Sequence, residues 1–168
     1  MKKPIHTLKE RDLTNKELNT LENLFSFFVK IEFLEECKDN KELLILRGHL
    51  AVEYFLNKAI EKFLINGRKL TCDNNFSFSK KLLIVECFNV LEKDTYKFIK
   101  ELNKLRNKCS HQIGYRVSNA DINELAKILP LEIFDNLKEK DNNKKLFNLL
   151  SSVLTNMMDR VNLIQKND

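Results

Sequence analysis

The sequence predicts an all-α protein, and three observations predict it. The 168 residues contain only three Gly and two Pro, too few to punctuate a chain of short strands and tight turns. Apolar residues recur at spacings of three and four over long stretches, the period of a helix with one buried stripe. The Phe-rich runs are too long and too poor in turn residues to read as strands. A chain of this length favours one domain, here taken as 1–168. Such a domain buries roughly 70% of its unfolded surface, enough for a core without disulfide or metal staples. Its core is expected over about 14–116, with a C-terminal helical extension over about 118–165.

Taken in order, residues 1–13 read as a leader. Thr14-Asn15-Lys16-Glu17 has the pattern of a capping box, in which the hydroxyl and the carboxylate satisfy each other's orphan backbone N–H groups. A helix follows from about Asn15 to Cys37, with Leu18, Leu21, Leu24, Phe25, Phe28, Ile31 and Leu34 near one stripe. Lys38-Asp39-Asn40 breaks it. Asn40 or Asp39 caps a second helix, Lys41 to about Asn66. Its expected inner positions are Leu43, Leu46, Leu50, Phe55, Leu56, Ile60, Phe63 and Leu64, with Gly67 as the glycine that ends it. Gly48 lies in mid-helix, where it costs about 1 kcal/mol against alanine; close approach of another helix would justify it. The stretch GRKLTCDNNF, 67–76, reads as the longest loop.

Ser77 or Ser79 caps a third helix to about Leu91, and Asp94 caps a fourth that runs to His111. The fourth carries Phe98, Ile99, Leu102 and Leu105 on one stripe. Ser118-Asn119-Ala120-Asp121 starts a fifth helix to about Ile128, and Pro130 restarts the chain in a short sixth. KEKDNNKK, 138–145, reads as a polar linker. A last helix runs from about Lys144 to Gln165, with Leu146, Leu149, Leu150, Val153, Leu154, Met157, Val161 and Ile164 in register.

Composition narrows the function. Four cysteines, Cys37, Cys72, Cys87 and Cys109, form no CxxC pair and read as unpaired thiols of a reducing compartment. No apolar run approaches the roughly 18 residues needed to span a bilayer. A cytoplasmic protein with no membrane partner is expected. No HExxH, no Cys/His metal spacing and no glycine-rich phosphate loop occurs, so neither metal nor cofactor is expected. Net charge is +5, and its distribution is uneven. Between Lys93 and Arg116 seven basic residues face two acidic ones, an excess equal to that of the whole chain. Concentrated positive charge attracts polyanions.

The end of the fourth helix gathers the chemistry. Arg106, Asn107, Lys108, Cys109, Ser110 and His111 follow the last stripe residue, Leu105. Imidazole titrates near neutrality and serves as general acid or base, and guanidinium stabilises charge on a phosphate in transit. RNA carries its own nucleophile, the 2′-OH. Arg106 and His111 would therefore suit cleavage to a 2′,3′-cyclic phosphate and a 5′-OH, with Lys97, Lys100, Lys104 and Lys108 holding flanking phosphates. Asn107 lies four residues before His111 and can stack beneath it to fix its tautomer. The alternative is plain: a histidine at a helix C-terminus also simply complements the dipole. Five residues of helix turn through a net of about 140°, so one helix does not aim Arg106 and His111 at one phosphate. Either the last turn frays, or a two-fold dimer pools two copies of it.

RNKCSH, Arg106–His111, resembles the Arg-Asn-x-x-x-His signature of the HEPN superfamily. The stretches LRGHLAVEYFLNKAI (46–60) and FSFSKKLLIVECFNVLEKDTYKFIKELNKLRNKCSH (76–111) resemble branches that include relatives of the mannitol operon repressor. The resemblance implies a HEPN-like up-and-down helical bundle with additional C-terminal helices. It also implies a metal-independent, dimeric endoribonuclease whose two motifs meet at the interface, often a toxin or antiviral defence effector, with an antitoxin protein as a candidate partner. By position, Arg106 and His111 would be catalytic and Asn107 supporting. Glu53 matches an acidic residue that some members place near the site, and Ser110 keeps the small size of the alanine in the common Phe-Ala-His ending. Cys109 departs from the aromatic of that ending. The repressor likeness implies a different function, that of a non-catalytic regulator or protein-interaction module.

Overall fold

Asn40 starts the helix on which the others pack. Its backbone is extended, and its side chain accepts a hydrogen bond from the Leu43 N–H at 2.9 Å, which satisfies one of the orphan donors of the first turn. The helix that follows is α1, Lys41–Phe63. The structure, a computed structural model, describes residues 32–130 and 141–164. The remaining described helices are α2 (Gly67–Thr71), α3 (Phe78–Cys87), α4 (Lys93–His111), α5 (Asn119–Ala126) and α6 (Asn142–Leu163). A helical turn at 32–35 precedes α1. The described residues are all-α, with no strand among them. The expected capping box at Thr14, the helix up to Ile31 and the short helix after Pro130 lie outside the described residues.

Pairs of contacts give the directions. His49 and Glu53 of α1 meet Phe78 and Lys81 of α3 in the same order, and Phe63 stacks on Phe88 beyond, so α1 and α3 run parallel. Gly48 lies against Leu150, and the Lys62 ammonium donates to the Val161 carbonyl, so α6 is also parallel to α1. Helix α4 runs the other way. Its middle reaches His49 through Asn103, and its start lies by the end of α6, where Thr95 meets Asn156 and Glu92 pairs with Arg160. The short α5 closes the N-terminal end of α1 through a Lys41–Asn119 bond of 2.9 Å. One hydrophobic cluster joins α1, α3, α4, α5 and α6, with Phe98, Ile60, Leu102, Ile122 and Leu150 fully buried.

Gly48 is tolerated for the expected reason. A Cβ there would lie 2.8 Å from a methyl of the buried Leu150, so the glycine lets α6 approach α1. Gly67 differs from expectation. Helix α1 ends at Phe63 with Leu64 as its cap residue, and Gly67 begins α2 instead of ending α1. It is buried, and a Cβ would lie 2.4 Å from the Ile60 carbonyl oxygen and 2.8 Å from Glu61 Cα. The residue is glycine because backbone presses on backbone. No side-chain rotation relieves such a contact, so Gly67→Ala should lower stability by about 1–3 kcal/mol. A chemical-denaturation midpoint compared with wild type measures it.

Other boundaries moved for local reasons. Helix α3 stops at Cys87, not Leu91. Asn89 takes φ 51°, and the Asn89 and Val90 N–H groups return to the Glu86 and Val85 carbonyls, the paired bonds of a left-handed helix stop. Helix α4 begins at Lys93 with Glu92 as its cap residue. Asp94 therefore sits in the first turn, where its carboxylate pairs with Lys97 at 2.9 Å. The 67–76 stretch holds α2 and is not all loop. Asn142 and Asn143, expected in a linker, open α6 behind an Asp141 cap. Ser118–Asp121 starts α5 as expected, and it does so as a capping box.

The inner face of α1 is corrected. Its buried residues include Leu44, Ile45, Ala51, Val52, Phe55, Leu56, Ala59 and Ile60. Leu43 and Leu50, expected inside, are 36% and 55% exposed, and Leu46, Phe63 and Leu64 are only half-buried.

Candidate active site

Phe98, Ile99, Leu102 and Leu105 are all buried and fasten α4 to the bundle. That anchoring fixes the orientation of everything beyond Leu105. The helix is hydrogen-bonded through its end, with the Gln112 N–H donating to the Lys108 carbonyl at 3.0 Å, so Arg106 and His111 share one unbroken helix. The rotation of about 140° between them therefore stands. Arg106 is half-buried; Asn107, Ser110 and His111 are exposed. The Arg106 guanidinium donates to Asn107 Oδ1 at 3.1 Å. The expected Asn107–His111 bond does not form, and Asn107 steadies the arginine instead. Among the described residues no side chain is hydrogen-bonded to His111.

The lysines proposed for RNA are divided. Lys97 pairs with Asp94, and Lys104 with Glu101 at 2.6 Å. Lys108 lies 3.9 Å from an Asp121 oxygen and over the Tyr115 ring at 5.7 Å. Burial of the Tyr115 hydroxyl, with the Asp121 carboxylate beside it, pushes that phenol up to about 12. Lys100 is exposed, with no ion-pair partner among the described residues. Lys97, Lys104 and Lys108 share a groove of about 520 Å³ with Asp121 and Glu124 of α5, and Leu105, Leu125 and Ile128 give it an apolar lining. Its charge is mixed, so the strong single-sign edge expected from composition is diluted where α5 packs.

Glu53 does not reach α4. Its carboxylate takes the Lys81 ammonium of α3 at 2.7 Å. Arg47 turns the other way, to Glu36 at 2.7 Å and to the Phe33 carbonyl, with its guanidinium 4.4 Å over the Phe33 ring. Next to Glu53 on α1 is His49, 2% exposed. It stacks on Phe78 at 4.1 Å and is hydrogen-bonded to Asn103 Oδ1 at 2.9 Å. Burial pushes the His49 imidazole below its usual value, and the Arg106 charge adds to that, against the Asn103 bond and the Glu53 charge.

Nothing matched this chain among family models, curated proteins or solved structures.

Two functional groupings escaped the sequence reading. Lys81 is the first. It is buried at 6% exposure, and its place among Phe78, Leu82 and Val85 at helical spacing is the signal that marks it as inward-facing. Asn103 is the second, and only the fold brings it to a residue 54 positions away. The cysteines are unpaired, as expected. Burial pushes the Cys109 thiol up, reinforced by the charges of Glu42 and Asp121. Among the described residues no group of three or more His, Cys, Asp or Glu side chains is placed to hold a metal ion, and no helix is long and apolar enough to cross a membrane.

Proposed function

We propose that this chain is a metal-independent endoribonuclease of HEPN type, acting as a two-fold homodimer, in the role of a toxin or antiviral defence effector. The observation that carries the reading is the unbroken end of α4, which presents Asn107, Ser110 and His111 to solvent with Arg106 held alongside by Asn107. A second copy facing this turn supplies an arginine and a histidine from the directions that one helix cannot. The 2′-OH of a ribose attacks the adjacent phosphorus, and His111 takes its proton as general base. Arg106 stabilises the added negative charge on the non-bridging oxygens. The P–O5′ bond breaks, and water gives the leaving O5′ its proton. The products are a 2′,3′-cyclic phosphate and a 5′-OH, and the reaction consumes no metal or cofactor. Lys100, exposed on the same helix, is the best placed of the four lysines to hold a flanking phosphate; Lys97, Lys104 and Lys108 contribute less because each already faces a carboxylate.

The test is cleavage of labelled single-stranded RNA by the purified chain in EDTA. Activity should persist in chelator, end in a cyclic phosphate, and fall about 10²–10⁴-fold in His111→Ala with its circular dichroism unchanged. No cleavage across varied RNAs, or cleavage that survives His111→Ala, rejects the reading.

A second reading has its own observation. The self-neutralised lysines and the mixed-charge groove between α4 and α5 suit protein contacts better than a polyanion, and would fit a non-catalytic regulator or interaction module. An antitoxin protein would be a partner under the first reading, and a transcription-associated partner under the second.

A further inference from the structure

His49 occupies the junction where α1, α3 and α4 meet, and its hydrogen bonding is one-sided. Asn103 Oδ1 can only accept, so the Nε2 that faces it at 2.9 Å carries the proton. The other nitrogen, Nδ1, is then a bare acceptor, and it is buried with no hydrogen-bond partner among the described residues. The charges that act on the ring are Arg106 from α4 and Glu53 on its own helix, and from α3 Lys81 pairs with that same Glu53 at 2.7 Å. The Glu53 carboxylate is therefore shared with Lys81. A proton arriving at Nδ1 would create a buried N–H without an acceptor among the described residues, which is strongly unfavourable.

We propose that His49 is an acid-sensitive latch: protonation of its buried Nδ1 loosens the packing of α3 on α1. The ring stacked on Phe78 at 4.1 Å joins α3 to α1, one turn before the Lys81–Glu53 pair, and it is the contact that the added proton disturbs directly. Burial holds the folded imidazole below its usual value, and the unfolded chain therefore binds this proton more tightly than the folded one. Stability is complete above about pH 6.5, the value of a free imidazole, and falls as the pH drops below it. The device does not depend on RNA cleavage.

The experiment uses the full chain. Imidazole resonances are followed by NMR between about pH 8 and about pH 5, across the histidine range, with the His49 signal assigned by its loss in His49→Gln. Amide hydrogen exchange of Leu82 and Val85 in α3, corrected for intrinsic rates, is measured over the same span. The His49 midpoint should lie below about 6.5, and α3 exchange should accelerate by up to about tenfold per pH unit, the limit for one linked proton. In His49→Gln, which keeps a donor for Asn103 and does not titrate, that acceleration should vanish. A His49 midpoint at or above the free value, or equal acceleration in the variant, overturns the proposal. If the variant does not fold, wild type decides alone: acid-induced exchange confined to α3 supports the latch, and equal exchange in α3 and α6 overturns it.

Discussion

Mixing Arg106→Ala protein with His111→Ala protein should restore RNA cleavage that neither variant shows alone. Each single change should lower the rate by about 10²–10⁴-fold, the usual contribution of a positioned acid–base group. On an unbroken α4 the two side chains diverge by about 140°, with Arg106 half-buried against the bundle and His111 exposed. A site that joins them draws one from each protomer. After random exchange roughly half of the dimers are mixed, and each mixed dimer holds one intact arginine–histidine set of two, so about a quarter of wild-type activity should return. Mixed dimers that form, verified by native mass spectrometry, yet stay inactive would place the site within one chain. A chain that sediments as a monomer at micromolar concentration would remove the composite site altogether.

Much of this arrangement was readable in the sequence because it depends on local geometry. The divergence of Arg106 and His111 follows from helix pitch alone. Ser118-Asn119-Ala120-Asp121 is a local helix-start pattern, and it starts α5. The buried set of α6, from Leu146 to Val161, follows a clean period on a helix otherwise polar. The face of α1 was not readable in the same way. Leu43, Leu44, Ile45 and Leu46 are consecutive, so apolar spacing of three and four fits two faces equally well. Only the neighbours decide: α6 needs Gly48, α4 needs His49, and Leu43 and Leu50 are left outside. The end of α3 was hidden for another reason. Apolar residues continue to Leu91, while the stop is made by the backbone at Asn89. The positive edge of α4 was overestimated because net charge ignores spacing. Asp94 and Glu101 each lie three residues before a lysine and pair with it.

Replacing Lys81 with methionine should destabilise the protein by about 2–3 kcal/mol, although methionine matches the lysine stem and suits a buried position. The loss comes from what is left behind. The Lys81 side chain is 8% exposed and that of Glu53 is 29% exposed, so an abandoned Glu53 carboxylate keeps some water but not a full shell. That partial exposure places the expected loss below the roughly 3–5 kcal/mol typical of breaking a fully buried pair. A Lys81→Met, Glu53→Gln double variant removes the stranded charge and should recover most of the stability, because both charges are then absent from the α1–α3 contact. Denaturant midpoints for the two single variants and the double close the cycle. A strongly positive coupling means that the pair acts as a unit at the α1–α3 contact, next to the His49 stack. Additive losses would mean that Lys81 is held by the packing of its stem alone. In that case the Glu53 carboxylate would be free to face a protonated His49.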